Sequence, residues 1–170
     1  MSSTGRGGKR SPADYYPTPA WCVRRLLEEV ELPGGVWVEP CAGDGAIIHA
    51  VNAVRGDVEW QANELRKECR GDLCSAIGRP DRVHIGDIDS FMPSPAPVVA
   101  ITNPPFSAAM EVVNWCRLHA DITVLLLRLN FLASAQRAPF MRANAPDIYV
   151  LPIIPPSLPS MAGSSGHKRV

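Results

Sequence analysis

Val36-Trp37-Val38-Glu39-Pro40-Cys41-Ala42-Gly43-Asp44-Gly45 decides how this 170-residue chain folds. Val36 to Glu39 reads as a strand that Pro40 ends by removing a backbone donor. Ala42, Gly43 and Gly45 keep the turn small, and the positions beyond them change period. Ile47, Ile48, Val51 and Val54 recur at helical spacing on one face. A strand, a tight loop of small residues and a helix form the first half of a parallel crossover unit.

The same alternation extends in both directions. Upstream, Thr18 is placed to cap a helix with Pro19 at its first position, and Val23, Leu26, Leu27 and Val30 give the stripe. Pro33-Gly34-Gly35 ends it. Downstream, Val58 to Asn63 reads as a strand, Leu65, Cys69, Leu73 and Ile77 as a helix, and Arg82 to Ile85 as a short strand closing at Gly86-Asp87. Met92 to Pro97 carries three prolines and reads as a surface loop. Pro97 to Thr102 is an apolar strand running into Asn103-Pro104-Pro105-Phe106, and Ser107 to His119 reads as a helix. Ile122 to Leu129 is a near-continuous apolar run, the kind a central strand covered on both faces requires. Asp147 to Ile154 is a sixth, weaker strand.

This pattern predicts an α/β fold: a doubly wound, mostly parallel sheet with helices on both faces. The expected organisation is a flexible basic tail (1–14, with Arg6, Lys9 and Arg10), a single domain (15–154), and a Pro/Ser/Gly-rich disordered tail (155–170). In such sheets ligands bind beyond the carboxyl ends of the strands, where strand order reverses. Glu39 to Gly45, Glu64, Asp87 and Asn103 fall at the ends of the first four strands.

Hydrophobic residues make up 46% and charged residues 20%, as in an ordinary globular domain, and formal net charge is zero. Any attraction to a polyanion is therefore local rather than a property of the overall field. Five cysteines without a paired spacing, and four scattered histidines, imply neither a disulfide framework nor a metal site. No apolar run reaches membrane length and no secretory leader is evident, so a soluble cytoplasmic protein is expected.

The loop chemistry narrows the ligand. A dinucleotide fingerprint would place a third glycine near Ile48. Glu39 and Asp44 would also repel a pyrophosphate, whereas an acidic loop suits a cofactor bearing a cationic amino group and a sulfonium. Glu64, about 20 residues beyond the glycines, either accepts ribose hydroxyls or simply begins a helix. Asp87 either accepts from a cofactor's adenine amine or makes an Asx turn.

Asn103-Pro104-Pro105-Phe106 is the most specific feature. Two prolines stiffen the backbone and leave carbonyls that accept but no amides that donate. The Asn103 side-chain oxygen and the Pro104 carbonyl could accept both protons of an exocyclic amine, drawing its nitrogen toward tetrahedral geometry. Phe106 offers a face on which a base can stack, a contact of roughly 1–3 kcal/mol.

Together these residues resemble the S-adenosylmethionine-dependent DNA adenine-N6 methyltransferases, especially small phage-type enzymes. Tyr15-Tyr16-Pro17-Thr18-Pro19 is similar to the family's cofactor-closing motif, and Glu39 to Gly45 to its cofactor loop. The resemblance implies a Rossmann-like class I methyltransferase fold over residues 14–154. It implies that Tyr16, Pro17, Thr18, Glu39, Cys41, Ala42, Gly43, Gly45, Glu64, Asp87, Ile88 and Asn103 bind S-adenosylmethionine. Asn103, Pro104, Pro105 and Phe106 would form the catalytic loop acting on adenine N6, and Arg128 and Asn130 would border the site. Single- or double-stranded DNA is the expected partner, in a bacterial or phage-infected cell and within a restriction-modification setting. RNA, a protein glutamine amide, or a non-catalytic cofactor-binding role are the alternatives. The family's final hairpin strand has no visible counterpart, with Leu158 near its aromatic position, and no segment is large enough for target recognition. Sequence specificity would then be low or come from a protein partner.

Overall fold

The computed structural model describes residues 16–151. The predicted tails at 1–14 and 155–170, Leu158, and the last residues of the expected sixth strand lie outside them. Ten regular elements follow one another: α1 (Ala20–Glu29), β1 (Gly35–Glu39), α2 (Ala46–Asn52), β2 (Val58–Glu64), α3 (Arg70–Ile77), β3 (Val83–Ile85), β4 (Val99–Thr102), α4 (Ala109–His119), β5 (Ile122–Leu125) and α5 (Ala138–Ala143). The five strands form one sheet in the order β3-β2-β1-β4-β5, every pairing parallel. Strand order reverses between β1 and β4, the position that opens a crevice in doubly wound sheets.

Alternation along the central strands explains the two covered faces. Trp37, Val99 and Ile101 join Val23, Ile47, Ile48, Val51 and Leu73 in a core on the α1, α2 and α3 side. Val38 and Ala100 pack with Val112, Trp115 and Cys116 of α4 on the other. On that second face the β3–β4 connection contributes a 3-10 turn (Ile88–Ser90) and Phe91 instead of a crossover helix. His84, Phe91, Trp115 and His119 stack successively, with centroid separations of 5.4, 5.5 and 4.3 Å. The proline loop beyond Phe91 is pinned by buried Gln61, whose amide donates to the Pro95 carbonyl (2.7 Å) and accepts from Ser94 N–H (2.7 Å).

Several expectations need correcting. Thr18 makes no cap: Pro19 is the N-cap of α1, and the Thr18 hydroxyl is turned toward Asn103. Helix α2 starts at Ala46 and stops at Asn52, which leaves Val54 exposed beyond its end. Leu65 lies outside α3 and is exposed. The apolar run from Ile122 contributes a strand only as far as Leu125, and all four strand residues are half-buried. β5 has β4 on one side, and among the described residues no strand pairs with its outer edge, so it is not the fully covered central strand expected. Residues 147–151 of the expected sixth strand run without strand pairing. No helix among the described residues is long and apolar enough to cross a membrane.

Phe91 stands in for the missing crossover helix, so Phe91→Ala should cost about 3–5 kcal/mol. Urea unfolding followed by circular dichroism measures this, and a loss below about 1 kcal/mol would show the ring to be dispensable.

Candidate functional site

A cavity of about 260 Å³ opens at the carboxyl ends of β1, β2, β3 and β4. Tyr16, Pro17, Thr18, Glu39, Cys41, Ala42, Gly43, Glu64, Asp87, Ile88, Asn103 and Pro105 of the predicted set line it. Gly45, Pro104 and Phe106 do not. Gly45 is the left-handed N-cap of α2 (φ +86°), where a Cβ would meet Leu73 and Ala76 at 3.4 Å, so its place is in turn geometry and helix packing. Pro104 is fully buried, and Phe106 lies just outside the cavity.

The loop after β1 is tied to the end of β2. Ala42 N–H donates to the Asn63 carbonyl (2.9 Å), and the Asn63 amide donates to the Pro40 carbonyl (3.0 Å). Glu64 Oε2 accepts from Gly43 N–H at 2.7 Å. Its Oε1 accepts from the Arg66 backbone N–H (2.9 Å) and Nε (3.0 Å). Glu64 is thus buried at the cavity wall and orders the loop around it. Asp87 is exposed and accepts from Asp89 N–H (3.0 Å), so the Asx geometry is realised while the residue still faces the cavity.

Acid dominates the interior. Glu39, Asp44 and Glu64 all line the cavity, and Glu39 Oε2 and Asp44 Oδ1 are buried without a hydrogen-bond partner. Burial pushes the Glu39 carboxyl well above the ordinary range, and the nearby Asp44 and Glu64 charges push it further. The Ile48 backbone amide offsets only part of this. Burial raises the thiol of Cys41, which lines the cavity, and raises that of Cys116, in the core behind it, to about 12, so neither is poised as a nucleophile. Buried acceptors lacking donors are costly, and a ligand with a cationic or donor-rich end relieves that cost.

Asn103 is held by its amide nitrogen. Nδ2 donates to the Tyr16 carbonyl (3.2 Å) and the Thr18 hydroxyl (3.2 Å). Because a carbonyl can only accept, the orientation of the amide follows from the contact, and Oδ1 is left to accept from another group. The segment before α1 therefore sets the chemistry at the end of β4. Pro105's carbonyl is committed to Ala108 N–H (3.0 Å), which starts the turn into α4.

Asp44, read from the sequence as part of the acidic cofactor loop, also lines the cavity, whereas Asn63, Leu65, Arg66, Ser107 and Glu111 were not anticipated as lining residues. Leu65 and Arg66 directly follow Glu64 and were recognisable by adjacency. Glu111 reaches the cavity only through the orientation of α4, which no local pattern states. It also stands with Asp87 and Asp89 in an exposed carboxylate group. The border position of Arg128 is realised differently from expectation: its guanidinium lies over the Phe106 ring, 3.6 Å from the centroid.

No family model matches the chain, and no curated protein does. Among solved structures, a candidate RNA methyltransferase from Pyrococcus horikoshii superposes with a TM-score of 0.58 at 22% identity, over 71% of this chain and 67% of that one. The 23S rRNA methyltransferase ErmE superposes with a TM-score of 0.54 at 18% identity, over 71% of this chain and 51% of that one. The chain thus spans about half the length of ErmE. With the all-parallel sheet, these likenesses give the chain a Rossmann-like class I methyltransferase fold.

Glu39 also sets a pH dependence. A carboxyl whose folded pKa lies above its unfolded value binds more protons when folded, so its contribution to stability falls as pH rises from the ordinary carboxylate range through the folded pKa. Glu39→Gln removes that loss. Urea unfolding at pH 5 and pH 8 should show the variant gaining on the parent at the higher pH. An equal difference at both values would place Glu39 outside this account.

Proposed function

We propose that the chain is an S-adenosylmethionine-dependent methyltransferase that acts on an exocyclic amine, adenine N6 in DNA. The observation that carries this reading is the Asn103 amide, clamped through Nδ2 so that Oδ1 remains an acceptor beside an acidic cavity. The donor set fits the cofactor. Glu39 and Asp44 offer buried, unpartnered oxygens to a cationic amino acid end. Glu64, Asp87 and Ile88 line the remainder, where ribose and adenine would lie. Both similar structures carry methyltransferase names, which agrees with this choice of cofactor.

When bound, S-adenosylmethionine supplies an activated methyl group. The chain's own residues orient the acceptor. Asn103 Oδ1 accepts a hydrogen bond from one amine proton, and the resemblance gives the second acceptor as the carbonyl of Pro104, a residue buried in this structure. Together they turn the nitrogen lone pair out of conjugation with the ring. A neutral amine attacking a cationic donor needs no strong general base, so positioning and fixed dipoles provide the acceleration. Consecutive prolines hold the backbone that carries both acceptors. The DNA target follows from the resemblance of the Tyr-Tyr-Pro-Thr-Pro and Asn-Pro-Pro-Phe motifs to DNA enzymes, with a protein partner contributing sequence specificity. RNA is the second reading of the substrate, favoured by the names of the two superposed structures described above, which are for RNA methylation.

Transfer of labelled methyl from S-adenosylmethionine to unmethylated DNA and to RNA, with the product digested to nucleosides, tests this directly. Asn103→Ala should reduce transfer by about 100-fold or more while leaving S-adenosylhomocysteine binding within severalfold of the parent. A variant that keeps transfer would remove Asn103 from the reaction. Tight cofactor binding without transfer to any polymer would favour a non-catalytic role.

A further inference from the structure

The loops leaving β4 and β5 run side by side, because Leu126 N–H donates to the Thr102 carbonyl (3.0 Å) at the strand ends. Phe106 emerges from the first loop and Arg128 from the second. The Arg128 guanidinium lies over the Phe106 ring at 3.6 Å, van der Waals stacking distance, while the exposed Tyr16 meets the same ring at a tilt, 6.1 Å between centroids. The next arginine along this segment makes a useful contrast. Arg137 also covers a ring, that of Phe131, but its nitrogens are bound to the Phe131 carbonyl (2.7 Å) and the Asn130 carbonyl (3.3 Å). It is a fixed strut. Arg128 is exposed, and among the described residues it forms no ion pair. Its backbone is nevertheless anchored, with its carbonyl accepting from Phe131 N–H (2.8 Å).

We propose that Phe106 and Arg128 are the two jaws of a nucleobase clamp, with the base lying between the aromatic ring and the guanidinium plane. This rests on the nucleic-acid reading above and names a binding residue for it. A guanidinium carbon 3.6 Å from the ring centroid shows that the Phe106 face admits a partner at stacking distance. An exposed guanidinium–ring contact is weaker than base-on-ring stacking, so an entering base displaces the arginine. The long, unpaired side chain then needs to lift by only about one stacking layer, roughly 3.5 Å, to cover the base's outer face. A guanidinium is planar and weakly hydrated, which suits stacking on a base better than an ammonium does. The clamp thereby holds the base without reading its sequence.

The test measures binding of two single-stranded ten-mers, oligodeoxyadenylate and a fully abasic strand, to the intact chain saturated with S-adenosylhomocysteine. Arg128→Ala should weaken oligodeoxyadenylate binding about five- to tenfold and leave abasic binding unchanged. Arg128→Lys should lose most of the same affinity. Phe106→Ala should weaken binding too, with Arg128→Ala adding less on top of it than it does alone. S-adenosylhomocysteine affinity and thermal midpoint should stay near the parent in Arg128→Lys. Equal weakening of both ten-mers, or full recovery in Arg128→Lys, would make Arg128 a phosphate contact and overturn the clamp. Normal oligodeoxyadenylate binding in Arg128→Ala would overturn it as well. A parent that binds neither strand would instead bring down the nucleic-acid reading, and the clamp with it.

Discussion

The reversal of strand order between β1 and β4 is the constraint on which the site depends. One chain path leaves β1 toward β2 and another leaves β4 toward β5, so their loops part and a crevice opens between them. Every group of interest stands on its rim or wall. Glu39 ends β1, Glu64 ends β2, Asp87 follows β3, and Asn103 follows β4. Hydrogen bonds of the Gly43 and Ala42 amides to the end of β2 then hold the loop after β1 in one shape. Parallel pairing thus brings together side chains that are distant in sequence without requiring any long-range contact among the side chains themselves.

Two electrostatic environments result. Inside the cavity, Glu39, Asp44 and Glu64 concentrate acceptors in a poorly solvated space, and two of their oxygens have no partner. Such an interior is unfavourable by itself and selective for what it admits, since a pyrophosphate would add to the negative charge. Outside it, the exposed Arg128 cation covers the half-buried Phe106 ring. Asn103 stands between these environments, with its amide nitrogen tied to Tyr16 and Thr18. The segment preceding α1 therefore serves the site by orienting one amide. Its helix-capping role, expected from Thr18, is not realised, because a hydroxyl 3.2 Å from Asn103 Nδ2 is engaged elsewhere.

The fold was largely legible because each of the first four strands couples an apolar run to a polar or glycine-bearing terminus. Val36 to Glu39 and Val98 to Thr102 announce both their burial and their ends. β5 was overread: composition from Ile122 to Leu129 stays apolar, but pairing needs a neighbour, and β4 supplies one only as far as Leu125. The candidate site was legible to the extent that residues at strand ends are bound to converge. Glu64 and Asp87 were ambiguous between ligand and structural roles, and both line the cavity while making structural hydrogen bonds, Glu64 across to Gly43 and Asp87 to the nearby Asp89 N–H. Gly45 was read for the ligand, but its positive φ and its closeness to Leu73 and Ala76 give it to the turn and the helix packing. Glu111 and the Arg128–Phe106 pairing depend on how α4 and the loop after β5 are set against the sheet, information that no local spacing contains.

The central claim is that Asn103 presents an acceptor to an exocyclic amine. Nucleoside mass spectrometry of DNA and RNA from cells expressing the chain, compared with cells expressing Asn103→Ala, tests it most directly. The account predicts N6-methyldeoxyadenosine that rises with the parent chain and is absent with the variant. A methyl mark on a ring carbon, or a mark that persists undiminished in Asn103→Ala, would contradict it.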